Sequence, residues 1–187
     1  MKKLYLLTLS IFCLFSCGSG RIVTTETKPT ETIIFGKFTI NSKTPLKNKK
    51  VLIHFNERLW GKNAVWLDDN GYFYLKIPLG KNFIALVEYR EGMGFYKNIP
   101  DNYATFDLSQ NDKIYYIGDI ELEWTPSKQD KRKAGGVVGA ISEANKKGEK
   151  AGITIRDSKE TIDYFKQLFP DNTKEIITQL TDILSLS

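Results

Sequence analysis

Between residues 32 and 124 apolar and polar side chains alternate with a period of two, the spacing of half-buried β-strands. Ile34, Gly36, Phe38 and Ile40 share one face of a first strand. Val51, Ile53 and Phe55 share one face of a second, with Leu52, His54 and Asn56 opposite. The basic stretch 41–50 separates them, and Pro45 stops a strand from running through it. Residues 64–67 and 72–77 flank Asp68-Asp69-Asn70-Gly71. Asn-Gly between alternating runs is the strongest short-range hairpin signal, because both central residues can accept positive φ. Pro78, Leu79 and Gly80 end that hairpin. A run at 83–89, a glycine turn at 92–94 and short strands at 95–99 and 104–108 follow. In the last run Ile114, Tyr116, Gly118, Ile120, Leu122 and Trp124 fall on one face, with Asp119, Glu121 and Glu123 opposite. Seven or eight short strands with regular turns predict a mainly β, antiparallel sandwich.

The pattern changes after Trp124. Residues 125–150 are rich in lysine, glycine and alanine and predict a mobile basic connector, with a strand or short helix possible at 137–144. Residues 152–156 predict one more strand. Two amphipathic helices then complete the chain. Ser158 can cap the first, whose Ile162, Phe165, Leu168 and Phe169 fall on one side. Pro170 breaks the chain, and Asn172 with Glu175 forms a capping box for the second, in which Ile176, Ile177, Leu180, Ile183 and Leu184 recur at helical spacing. Both helices are short and need a surface, the sandwich first, a partner protein or the membrane interface otherwise.

The N-terminus has its own pattern. Lys2 and Lys3 precede an apolar run, residues 4–15, too short to span a bilayer but suited to a signal peptide. It ends Leu14-Phe15-Ser16-Cys17, which resembles a bacterial lipobox, with a bulkier residue than usual at Phe15. The resemblance implies cleavage before Cys17 and a lipid on its thiol. Cys13 would leave with the signal, so no internal disulfide is possible. The organisation expected is a signal at 1–16, a threonine-rich flexible tether at 17–30, a sandwich at 31–124, a connector at 125–150, and a strand with two helices at 151–187.

Residues 34–122 also resemble a carboxypeptidase regulatory-like domain, a sandwich of transthyretin-like type. Three blocks carry this. They are the first strand Ile34-Phe35-Gly36-Lys37-Phe38, the loop Lys43-Thr44-Pro45-Leu46-Lys47 leading into Val51-Leu52-Ile53, and the stretch 68–81, which ends Pro78-Leu79-Gly80-Lys81. Tyr116-Ile117-Gly118-Asp119-Ile120 is similar to the closing strand of such modules. The long excursion 55–64 and the helical tail depart from that pattern. The resemblance implies a non-catalytic accessory or binding domain.

Composition narrows the chemistry. Residues 17–187 keep 25 of the 27 basic residues and all 22 acids, a formal charge of +3. No basic stripe marks the strands, so a nucleic-acid partner is not expected. His54 is the only histidine, which leaves no zinc set and only one residue for any histidine-dependent triad. Aligning Asn70-Gly71 with a calcium loop puts Trp66 and Ile77 at ligand positions, so that motif fails. No phosphate or dinucleotide loop is present, and no metal or other cofactor is expected. The aromatic residues remain. Trp60, Trp66, Tyr72 and Tyr74 are candidates for a ligand or partner surface, with sheet packing as their plainer use. Tyr72 and Tyr74 are expected to be exposed, because they lie opposite Phe73, Leu75 and Ile77.

These features together point to a lipid-anchored cell-envelope protein, not an enzyme, that binds a protein partner or glycan. Gly18 after the cysteine favours the outer membrane over the inner. Two other classes stay open: a glycan-processing hydrolase using loop carboxylates, and a structural subunit docking through its C-terminal helices.

Overall fold

The computed structural model describes residues 24–58, 62–92, 94–131, 138–139, 141–142 and 145–184. The signal segment, Cys17 and Trp60 therefore lie outside the described residues, as do positions 137, 140, 143 and 144 of the stretch 137–144. The chain is mainly β, with two sheets of five and six strands consistent with a β-sandwich.

Sheet I contains β1 (Glu31–Asn41), β4 (Tyr72–Pro78), β8 (Lys113–Glu123), β9 (Gly152–Arg156) and β10 (Glu175–Thr178), in the order β10-β8-β1-β4 with β9 also on β8. Sheet II contains β2 (Val51–Phe55), β3 (Ala64–Trp66), β5 (Gly80–Tyr89), β6 (Phe95–Asn98), β7 (Ala104–Leu108) and β11 (Asp182–Ile183), in the order β11-β7-β5-β2-β3 with β6 also on β5. Sheet I is mixed rather than purely antiparallel, because β1 and β10 both run parallel to β8. The core between the sheets is apolar and continuous. Ile34, Phe38, Phe73, Leu75, Ile117 and Leu122 from sheet I face Ile53, Phe55, Val65, Val87, Phe106 and Leu108 from sheet II.

The closing strand does not keep one face inward. Tyr115 and Ile117 point to the core before Gly118, while Ile120, Leu122 and Trp124 do so after it. Ile114 and Tyr116 belong to a second cluster on the outer face. The register against β1 shifts between Phe35 and Lys37, which places one extra residue of β8 there. An extra residue reverses the alternation of everything beyond it. Gly118 absorbs the bend with φ of 105°, and Gly36 opposite lets the backbones close, since a Cβ on it would lie 2.5 Å from the Gly118 carbonyl oxygen.

The hairpin at 68–71 also differs from the two-residue turn. Gly71 adopts φ of 88°, whereas Asn70 does not have positive φ. Instead the Asp68 carboxylate accepts the N–H groups of Asn70 and Tyr72, each at 2.8 Å, so a side-chain-stabilised four-residue loop makes the turn. Gly80 opens β5 rather than ending the hairpin.

The C-terminal region contains one helix where two were expected. The helix α1 (Lys159–Leu168) follows Ser158, whose N–H donates to the Tyr116 hydroxyl at 3.0 Å. Phe165 is buried and stacks on Phe35 with centroids 4.1 Å apart, so α1 covers the outer face of sheet I. The second helix is replaced by β10 and β11. Asn172 bonds the N–H and carbonyl of Lys174, an Asx-type turn rather than a capping box. The physical reason is the open edge of β8. Its residues 113–116 offer a ladder to Glu175–Thr178, and the β-branched Ile176, Ile177 and Thr178 suit a strand better than a helix.

Candidate functional site

The outer face of sheet II gathers a concentrated polar cluster. Strand register places Trp66, Leu52, Glu88 and Tyr96 in one row across β3, β2, β5 and β6. His54 stands two residues along β2 from Leu52, so it shares that face. Glu88 is 4% exposed, and four donor atoms converge on it. Arg90 donates from Nε to Oε1 at 2.6 Å and from Nη2 to Oε2 at 3.3 Å. The Tyr96 hydroxyl donates to Oε1 at 3.0 Å, and His54 Nε2 lies 3.4 Å from Oε2. The Arg90 guanidinium also lies over the Trp66 ring, 4.7 Å from its centroid.

Burial alone would raise the Glu88 pKa. Hydrogen bonds from His54, Arg90 and Tyr96, with the guanidinium charge, outweigh it and pull the carboxyl down to about 2. A carboxylate held that far below neutrality has no proton to give and little appetite for one, so it serves as an anchor rather than a general acid or base. His54 Nδ1 is buried without a hydrogen-bond partner, which leaves Glu88 as the contact that orients the ring. His54 is thus buried, not half-exposed as alternation suggests.

Across the molecule α1 and Phe169, which follows it, pack on the two tyrosines expected to be exposed. Tyr72 stacks on Tyr164 at 3.9 Å and is 6% exposed, while Tyr74 meets Phe169 edge-on at 5.4 Å. Alternation identifies the face turned away from the core but not what packs there. Asp68 and Asp119 fix the helix in place. Asp68 accepts the Tyr164 hydroxyl at 2.9 Å, and Asp119 accepts Thr161 at 2.7 Å and Tyr116 at 2.9 Å. Burial first, and then the Asp68 contact, push the Tyr164 hydroxyl up to about 12. Burial and Asp119 raise Tyr116 as well.

Two shallow clefts open nearby. One lies beside Tyr72 and α1, with Lys159, Glu160, Asp163, Tyr164 and Gln167 around it. The other lies where β1 and β8 end, lined by Asn41, Ser42, Lys43, Glu123, Trp124 and Thr125. Trp124 is 6% exposed and its Nε1 is buried without a partner.

Of the four aromatic candidates, Trp66 joins the Glu88 network, Tyr72 and Tyr74 lie under α1 and Phe169, and Trp60 is outside the described residues. Glu88, Arg90 and Tyr96 escaped sequence reading. The available signal was a lone acid within the apolar run 83–89. Among the described residues no three His, Cys, Asp or Glu side chains converge as a metal site, and no helix is long and apolar enough to cross a membrane. Family models, curated proteins and solved structures were all compared with this chain, and none matches.

Proposed function

We propose that this chain is a lipid-anchored cell-envelope protein whose β-sandwich is a non-catalytic binding or interaction module. The observation that carries this reading is the use made of the acids. Glu88, Asp68 and Asp119 each collect several donors from different elements and so join strands or helix to sheet. Glu88 and Glu91 are both held below the usual carboxylate range, Glu91 through its hydrogen bond from Lys50. A glycan hydrolase instead needs an acid held protonated near neutrality.

The sandwich is of transthyretin-like type in this reading. Its support is that sequence-distant blocks of the resemblance, 34–38, 72–78 and 116–120, lie side by side in β1, β4 and β8. Docking of an assembly partner through two C-terminal helices is not retained, because α1 packs on sheet I and the following residues pair as strands.

The anchor is Cys17, and Gly18 favours the outer membrane. Cys17→Ala is expected to abolish radiolabelled palmitate incorporation and move the protein from the membrane to the soluble fraction. An unchanged membrane fraction would overturn the anchor.

A further inference from the structure

Charge is distributed unevenly between the two ends of the sandwich. One end carries the start of β1, and the chain just before it is fastened there. Thr27 donates its hydroxyl to the Asn111 carbonyl at 3.1 Å, Lys174 Nζ donates to the Thr27 hydroxyl at 2.6 Å, and the Leu79 N–H donates to the Thr30 carbonyl at 3.1 Å. The opposite end of the eleven-residue β1 lies about 36 Å away.

That far end is basic. It carries the loops 41–50, 90–95 and 123–131, which are joined to one another. The Lys43 N–H donates to Thr125 Oγ1 at 3.0 Å, Lys50 pairs with Glu91 at 2.8 Å, and Lys131 bridges to Phe95. The connector is pinned there too, with the Tyr96 N–H on the Asp130 carbonyl at 2.9 Å and the Glu149 N–H on that of Asn98 at 3.1 Å. Lys128, Lys131 and Lys147 of the connector are thus held on the folded surface. Asp69, Glu91 and Glu149 are already paired with Lys49, Lys50 and Lys97. Lys43, Lys47, Lys128, Lys131 and Lys147 are exposed and make no ion pair among the described residues, against which Asp68, Glu123 and Asp130 remain. The polar cleft of Asn41, Ser42, Lys43, Glu123, Trp124 and Thr125 sits within this patch, and the Glu123 carboxylate accepts the Asn41 amide at 2.7 Å.

We propose that this basic end binds an acidic polysaccharide, the lysines meeting its carboxylates or phosphates and the cleft seating a sugar unit. The proposal rests on the reading of the chain as an anchored binding module and specifies its ligand. A glycan suits the patch better than a protein, because its basic groups are separate lysines around short polar side chains. A protein interface would have an apolar centre. Val138 and Ile141, 73% and 43% exposed on the same connector, provide the contrast.

The test is titration of the full chain in detergent with alginate, against neutral dextran and poly-glutamate, at roughly 50 and 200 mM salt. Wild type is expected to bind alginate in preference to both others and to weaken with salt. Reversal of Lys43, Lys47, Lys128 and Lys131 to Glu should weaken alginate binding at least about tenfold. The same reversal at Lys28, Lys62, Lys76 and Lys81, on the tethered end, should change it less than about twofold. Thermal melts establish that both sets fold. Equal loss in the two sets would overturn the site, as would absence of alginate binding. Stronger poly-glutamate binding, or loss in Val138→Ser/Ile141→Ser, would replace the glycan with an acidic protein. Cys17→Ala should titrate like wild type, so failure of the anchor appears only in membrane fractionation and failure of the basic end only here.

Discussion

A chain ending at residue 173 loses its cooperative unfolding transition. Residues 174–187 include both strands that complete the sheets on one side, β10 on β8 and β11 on β7. The segment between them is tied as closely. Thr181 is 4% exposed and donates both its N–H and its hydroxyl to the Ile117 carbonyl, at 3.1 and 2.9 Å, while the Gln179 N–H reaches the Tyr116 carbonyl at 2.9 Å. Ile176 and Leu180 pack on the outer cluster, and Ile177 and Ile183 on the main core. Each is half-buried and contributes roughly 1–2 kcal/mol, so their loss removes on the order of 5 kcal/mol. That equals the whole stability of a marginal domain. The truncation also bares the edge of β8, which invites aggregation. Circular dichroism during heating checks this. A truncated chain that melts cooperatively within a few degrees of wild type would place these residues outside the fold.

The second large effect belongs to Glu88. Its folded pKa of about 2 lies below the ordinary glutamate value of 4.5. A depressed carboxyl stabilises the fold above its unfolded pKa, and that contribution is lost as pH falls from about 4.5 to about 2. The difference corresponds to roughly 3 kcal/mol. Glu88→Gln should therefore be less stable than wild type by about 3 kcal/mol at pH 7, since Arg90 and His54 lose their counter-charge. The two proteins should converge near pH 2, where wild type has lost the same charge. Urea denaturation across this pH range measures the gap. A constant gap at all pH values would show that Glu88 acts by shape rather than charge.

How much of this was legible depended on how local the cause was. Strands at 104–108 and 152–156 were readable because alternation and flanking turns fix them within a few residues. The face reversal at Gly118 was not. Tyr115, Tyr116 and Ile117 are all apolar, so either face of that stretch reads as core. Residues 176–184 carry a spacing that serves a helix as well as a strand. The decision came from a vacant edge on β8, some sixty residues earlier in the chain. The Glu88 cluster was hidden for a similar reason, since its members come from β2, β3, β5, β6 and the residue after β5 and meet through register. Tyr72 and Tyr74 were placed on the correct face, but the helix and Phe169 that pack on them arrive about ninety residues later.

The most direct measurement is amide hydrogen exchange on the full chain. The account predicts that the amides of Ile176, Ile177 and Thr178 exchange as slowly as those of β8, through global unfolding alone. Rapid exchange across 175–183 with β1 and β8 still protected would contradict it, and would make the C-terminal segment an appendage rather than part of the sandwich.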